Sequence, residues 1–387
     1  MSRRVWCCCL NWTRFIRPLT SRTSFDITQR RLFNQRIAGD KFKTPQEVVG
    51  WLGAVQAQDF FGAQWALGLR MESATDKIIE QAFNEGSILR THLLRPTWHF
   101  VTPADIRWLL ALTAPRVHMI NGTMYRMMEL DEATLKRSSH IIATALQGGN
   151  HLTREALRNS VEAAGIATGK AQRMSYIMMY AELEGIVCSG PRQGRQFTYA
   201  LLEERAPFAR GMAADEALAE LIRQFFTSHG PATVYDFSKW SGLTVTSARE
   251  GLVSLKGQLE SEVVGDQTYW FATGTQPAPQ ASPAAYLLSV YDEYVSGYKD
   301  YSPIVEQPVG EAMWAMGNAL TNIIVVDGQI VGSWKRKIRK SAVEITINSL
   351  APLTDAGWQA VAAAAERYGT FLGQPVRLNR ASQSGIN

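Results

Sequence analysis

A chain of 387 residues with 46% apolar and 19% charged side chains has the length of two or three domains and the composition of a folded protein, which excludes a disordered or low-complexity chain. No run of about 18 uncharged apolar residues occurs, so a soluble chain without a membrane partner is expected. The net charge of +5 is a property of the first 25 residues, where Arg3, Arg4, Arg14, Arg17 and Arg22 stand without an acid; beyond them basic and acidic residues balance at 35 each, so affinity for phosphate has to come from local patches.

Residues 1–25 lack the apolar run of a secretory signal and are read as a basic extension or a misassigned start. Three of the four cysteines, Cys7, Cys8 and Cys9, lie in this tail, leaving Cys188 in the body, so no disulfide framework or thiolate zinc site is available there. A cytoplasmic location is the corresponding expectation. The six histidines form no HExxH pair, and neither a metal nor another cofactor is expected.

From Asp26 the pattern is mainly helical with short strands. Residues 26–101 predict helices at 28–37, 45–57 and 76–86, then strands at about 88–94 and 97–101 that turn near Arg95-Pro96. Residues 150–203 repeat this plan. One helix ends near Ala164, a second covers Ala171 to Glu184, and a hairpin follows whose tip, Gly190-Pro191-Arg192-Gln193-Gly194-Arg195, carries two arginines. In 214–272, Ala217, Leu218, Leu221, Ile222, Phe225 and Phe226 recur at helical spacing. A helix then starts at Thr233, another spans about Thr244 to Leu255, and a strand pair turns around Gly265-Asp266. Three helices and a hairpin are the winged-helix layout, in which the third helix enters a DNA groove and the hairpin touches the backbone.

Thr273 to Pro283 contains three prolines and reads as a linker. The remainder is strand-rich: Ala285–Tyr291, Asn322–Val326 turning at Asp327-Gly328 into Gln329–Trp334, and an alternation at Val343, Ile345 and Ile347, closed by the Ala-rich helix 355–368. The expected fold is α+β, mainly α, with three tandem winged-helix units and a small C-terminal β-barrel-like domain. The boundaries fall at 26–149, a first unit with connecting helices, then 150–208 and 209–272, with a linker at 273–284 and the last domain, with its terminal helix, at 285–387.

Two arrangements invite a chemical reading. In the run Lys335-Arg336-Lys337-Ile338-Arg339-Lys340, strand alternation puts Lys335, Lys337 and Arg339 on one face, suited to following a phosphate backbone. The competing reading is an edge strand that uses charge against aggregation. Arg192 and Arg195 at the hairpin tip carry the same choice between DNA contact and solubility. In Trp51-Leu52-Gly53-Ala54-Val55-Gln56-Ala57-Gln58-Asp59-Phe60, two glutamines flank an alanine. Residues two apart do not share a helix face, so Gln56 and Gln58 converge only where the helix opens. A glutamine amide is a poor base, yet it can hold a water and place a carbonyl dipole near a developing cation.

The strings Ala54-Val55-Gln56-Ala57-Gln58-Asp59, Arg90 to Val101 and Trp108 to Arg116 are similar to those of the AlkZ/YcaQ-type winged-helix DNA glycosylases, as are Gly230 to Thr233, Trp240 to Leu243, Tyr291 to Asp300 and Asp327 to Trp334. The resemblance runs from about residue 26 to 375. It implies three winged-helix units around a basic concavity, and a Gln-apolar-Gln motif that maps onto Gln56 and Gln58 as catalytic residues. The implied activity is hydrolysis of the N-glycosidic bond of N7-alkylated purines without a lysine Schiff base, extending to the unhooking of interstrand crosslinks. The partner would be double-stranded DNA carrying alkylated bases, bound by a monomer. Arg95, His92, His99, Arg192, Arg195, Lys335, Lys337 and Arg339 are the expected DNA contacts, and Asp59 is either a base or a helix-end structural residue. The rival is a non-catalytic winged-helix regulator, which would favour one DNA sequence as a symmetric dimer.

Overall fold

The computed structural model describes residues 25–381 apart from 170–171, 275–276, 278–280 and 316–320. The expected N-terminal extension lies outside the described residues except for Phe25, and so does part of the linker 273–284.

The fold is a mixture of helices and antiparallel hairpins, and one connection pattern occurs three times. Helices Pro45–Leu52, Phe60–Leu69 and Asp76–Glu85 lead to the hairpin Leu89–Leu93/Thr97–Val101. Helices Glu132–Leu146, Arg154–Ala163 and Arg173–Leu183 lead to Val187–Ser189/Thr198–Leu201. Helices Ala214–Ser228, Val234–Ser241 and Val245–Ser254 lead to Leu259–Val264/Gln267–Ala272. Each time a short upstream segment pairs with the second arm of the hairpin: Val55–Gln56 with Phe100 and His99, Leu152–Thr153 with Tyr199 and Thr198, and Ala232 with Trp270.

The helix starts are written locally. Thr44 and Thr233 form capping boxes with Glu47 and Asp236, while Thr75, Asp131, Thr153 and Thr244 each accept a backbone N–H from the first turn. The expected helix 45–57 stops five residues early. Gly53 takes φ +79°, a left-handed value that a β-carbon disfavours, and the chain leaves the helix into the strand Val55–Gln56. Two long helices, Ile106–Met127 and Glu132–Leu146, follow the first hairpin within 26–149, where connecting helices are expected without bounds.

The C-terminal region corrects the expected barrel. Its five strands lie in the order Val376–Arg380, Val343–Ser349, Gln329–Ile338, Asn322–Val326, Ala285–Leu288, an open sheet with two edges. The last strand runs parallel to its neighbour and the other pairs are antiparallel. Helix Asp355–Leu372 covers one face through Tyr368 and Phe371. That same helix face meets Trp65 of the N-terminal half, with ring centroids at 4.9 and 5.1 Å. Trp65 also donates its indole N–H to the carbonyl of Leu287 at 2.6 Å. The N-terminal helices and the C-terminal sheet therefore share one core, running from Leu32 and Val48 through Trp65 and Phe100 to Trp334 and Phe371. A second core joins the first hairpin to the helices 214–255, and a third belongs to residues 130–201.

Candidate active site

The strand Val55–Gln56 lies at the junction of the first two cores, and its pairing decides which side chains face together. Gln56 is opposite His99, and His99 is opposite Thr91 on the outer arm, so these three side chains line one face of the small sheet. Val55, Phe100, Arg90, Trp98 and His92 line the other. The pairing continues one residue past the strand, with the Ala57 N–H donated to the Trp98 carbonyl at 2.7 Å, and the chain then bends at Gln58 and Asp59 into helix Phe60–Leu69. Buried Phe60, edge-on to Phe83, Phe100 and Phe197 at centroid distances of 5.0–5.7 Å, anchors the start of that helix.

Gln56 is 8% exposed, and its side-chain amide makes no hydrogen bond among the described residues. Gln58 is exposed, and its side-chain oxygen accepts the Trp98 N–H at 3.4 Å. The helix ends before both, so the rule that residues two apart diverge on a helix does not govern them; Gln56 ends the strand and Gln58 lies at the bend that follows it. Asp59 occupies the helix N-cap without a capping hydrogen bond. Its carboxylate lies over Gly62, where a β-carbon would come within 2.6 Å of Oδ2.

His99 is fully buried. Its Nδ1 lies 3.0 Å from the Thr97 carbonyl and so carries the proton, leaving Nε2 as a lone pair without a partner among the described residues. Burial, reinforced by the positive charge of Arg95, lowers its pKa to about 3, so the ring is neutral at pH 7. His92 faces the opposite side of the sheet. Its ring packs against Trp98 at 4.4 Å with a 40° tilt and is hydrogen-bonded to the buried carboxylate of Glu182, to whose other oxygen the Trp98 indole donates at 3.3 Å. Both histidines, expected at the DNA surface, are thus held inside the protein, and His92 ties the first hairpin to helix Arg173–Leu183.

Arg95 and Arg192 are also engaged internally. The hairpin turn bearing Arg95 docks on the C-terminal end of helix Val234–Ser241, and half-buried Arg95 donates to the Lys239 carbonyl at 3.2 Å. Arg192 pairs with Glu80 at 2.9 Å and lies over the rings of Phe60, Phe61 and Phe197. Arg195, three residues on, is exposed with no hydrogen bond or ion pair among the described residues. Lys335 and Lys337 are exposed side by side on strand Gln329–Ile338, opposite Thr346 and Glu344, and because Asn322–Val326 pairs only as far as Trp334 they lie on a stretch that is paired on one side among the described residues, as the edge-strand reading of this run expects. Arg339, just past the strand end, forms an exposed pair with Glu344 at 3.2 Å.

The residue that pattern reading missed is Glu293. Its Oε1 accepts the Gln56 backbone N–H at 2.7 Å, and its Oε2 lies 3.0 Å from the Trp240 indole nitrogen and 3.4 Å from His229 Nε2. Burial alone would push its pKa up. The hydrogen bond and charge of His229, the Gln56 N–H and the charge of Arg95 outweigh that and hold it at about 2, so Glu293 is ionised behind the glutamine motif. It stands 237 residues from Gln56, and only the quoted string Tyr291 to Asp300 pointed to its neighbourhood.

Among the described residues, no cluster of three or more His, Cys, Asp or Glu is placed to hold a metal ion, and no helix is long and apolar enough to cross a membrane. The family described as "DNA glycosylase AlkZ-like" matches residues 49–371. A curated relative, the interstrand DNA cross-link repair glycosylase of Streptomyces sahachiroi, is 24% identical over 304 residues, 75% of this chain and 81% of the relative. The solved structure of Streptomyces sahachiroi DNA glycosylase AlkZ superposes with a TM-score of 0.75 at 21% identity, covering 91% of this chain and 98% of that one, which is a likeness of fold. With its match spanning most of the described residues, the chain belongs to the AlkZ-like DNA glycosylase family.

Proposed function

We propose that this protein is a monofunctional DNA glycosylase that hydrolyses the N-glycosidic bond of N7-alkylated purines in duplex DNA and unhooks interstrand crosslinks joined through such bases. Family membership and the name of the Streptomyces relative support the substrate class. The observation that carries the reading is an exposed Gln58 two residues after a nearly buried Gln56 whose side-chain amide has no hydrogen bond among the described residues, at the bend that joins strand Val55–Gln56 to helix Phe60–Leu69. We read the three repeated helix-and-hairpin groups as winged-helix units, at 26–149, 150–208 and 209–272, followed by a linker at 273–284 and a C-terminal domain at 285–387. In this reading Arg195, Lys335, Lys337 and Arg339 approach the phosphates from two sides, the protein acts as a monomer, and it works in the cytoplasm.

The chemistry asks little of strong acids or bases. An N7-alkylated purine is already cationic and leaves readily, so the enzyme has to position a water and stabilise an oxocarbenium-like sugar. Two amides suffice for that: a side-chain carbonyl of Gln56 or Gln58 accepts a hydrogen bond from the water, which adds to C1′ as the neutral alkylpurine leaves and then sheds its extra proton to solvent, and the other amide orients the deoxyribose. No lysine takes part, so the product is an abasic site in an uncut strand.

The test is release of 7-methylguanine from a methylated duplex by the intact protein, by Gln58→Ala and by the Gln56→Ala/Gln58→Ala double variant, with folding checked by circular dichroism. Release that falls at least a hundredfold in both variants, with the strand left intact before alkali treatment, is expected. Intact protein that releases nothing from a methylated or a crosslinked duplex overturns the reading in favour of a DNA-binding regulator.

A further inference from the structure

The path by which Glu293 reaches the motif is built from several independent contacts. Asp292 caps the single helical turn Glu293–Ser296 by accepting the Tyr294 N–H at 2.9 Å, and both of its oxygens are gripped by Arg70. Gly297 then lets the buried ring of His229 close on the turn, since a β-carbon there would meet His229 Cδ2 at 2.9 Å. Behind His229, Nδ1 lies 2.8 Å from the Ser228 hydroxyl. The Ser228 hydroxyl donates its own proton to the Gln224 carbonyl at 2.8 Å, so its oxygen faces His229 Nδ1 as an acceptor, while burial lowers the pKa of His229 against the pull of Glu293 at Nε2. The Trp240 indole can only donate, and it donates to the same carboxylate. Glu293 has no exposed surface, so it does not meet a substrate directly.

A buried carboxylate is an expensive way to hold one peptide N–H, because desolvating the charge costs more than a neutral acceptor would. What the charge adds is a field. In a water-poor interior a fixed negative charge acts over several ångströms, and the reaction creates a positive charge on the sugar beside Gln56. We propose that Glu293 is a positioning residue for the glycosidic step, fixing the Gln56 peptide through Oε1 and setting a negative charge behind it against the cation that develops on the deoxyribose. This rests on the reading of Gln56 and Gln58 as the hydrolytic pair. His229 and Arg95 stand near the same carboxylate and offset part of its field, while Arg70 is neutralised by Asp292.

The experiment compares two abasic analogues in otherwise identical duplexes, a pyrrolidine that is cationic at neutral pH and a tetrahydrofuran that is neutral. The wild-type protein is expected to bind the cationic duplex about tenfold more tightly. Glu293→Gln should lose most of that preference, with tetrahydrofuran affinity unchanged within about twofold and single-turnover release of 7-methylguanine slowed at least tenfold. A merely structural carboxylate would weaken both duplexes alike, which overturns the proposal. So does a Glu293→Gln protein with wild-type preference and rate. Should that variant not fold, the wild-type ratio decides, because equal affinity for the two analogues also overturns it. Wild-type protein that releases 7-methylguanine without preferring the cation sinks this proposal alone, whereas absence of release sinks the hydrolytic reading with it.

Discussion

Arg70 closes on Asp292 through two parallel hydrogen bonds of 2.8 and 2.9 Å, with both side chains out of water. The guanidinium also donates to the Gln35 side chain at 2.8 Å, to the Gln35 carbonyl at 2.9 Å and to the Ala66 carbonyl at 2.8 Å, so all its donor groups are used. The pair fastens the end of helix Phe60–Leu69 to the turn that presents Glu293. Arg70→Met leaves Asp292 charged, buried and unpaired, and is expected to cost about 3–5 kcal/mol. Urea denaturation should show a lower midpoint with an unchanged slope. The Arg70→Met/Asp292→Leu double variant should recover part of the loss, and a double variant less stable than the sum of the singles would contradict this account.

Acid should unfold the protein in two overlapping stages. His99 is buried neutral with a pKa near 3 against an ordinary 6.5, so the unfolded chain takes up its proton first. Its contribution to stability is complete above pH 6.5 and is lost as the pH falls from there towards 3. Glu293, held at about 2 against 4.5, contributes fully above pH 4.5 and loses that contribution between 4.5 and 2. Burial shifts His229 in the same direction as His99 and steepens the upper stage. Each group changes stability by about 1.4 kcal/mol per pH unit inside its window. His99→Asn should therefore flatten the decline in urea midpoint between pH 6.5 and 4.5 and leave the lower stage in place. An unchanged slope there would show that His99 is protonated in the fold.

Local signals carried most of the helix starts and all three hairpins, because threonine caps and turn residues act within three or four positions. The same locality explains what was misread. The apolar run through Trp51 and Val55 looks helical at either period until Gly53, at φ +79°, ends it. The closure of the C-terminal sheet depends on where Val376–Arg380 pairs, and a short polar strand carries little hydrophobic pattern to announce it. In the site, Gln56 and Gln58 stood out as a motif, but Glu293 was invisible as a functional group. Its role comes from a 2.7 Å contact across 237 residues, which no periodicity encodes.

Arg192 and Arg195 sit three residues apart and should behave differently. Arg192 is spent on Glu80 and on a cluster of phenylalanine rings, so Arg192→Ala should destabilise by about 1–3 kcal/mol, through lost packing as well as lost charge. Its effect on duplex affinity should follow only from stability. Arg195→Ala should leave the melting temperature within about one degree and weaken duplex binding about two- to fivefold at low salt, the effect of one phosphate contact. A fluorescence-anisotropy titration beside a thermal melt separates the two, and reversed phenotypes would mean that the hairpin undocks when DNA arrives.

Strand Gln329–Ile338 outruns its neighbour Asn322–Val326, which pairs only as far as Trp334, so among the described residues Lys335 and Lys337 are paired on one side alone and their charge serves there to block strand pairing as well as to meet phosphate. On their face of the sheet the register adds Arg377 beyond Glu344, which leaves the row basic on balance. If this face follows a phosphate backbone, Lys335→Glu/Lys337→Glu should lower duplex affinity at least tenfold at low salt. It should also reduce the slope of log affinity against log salt by about 2, one unit for each lost contact. Stability should change by less than about 0.5 kcal/mol per site, because both side chains are exposed. An unaltered salt slope would remove the C-terminal sheet from the DNA path and leave the helical units to carry binding alone.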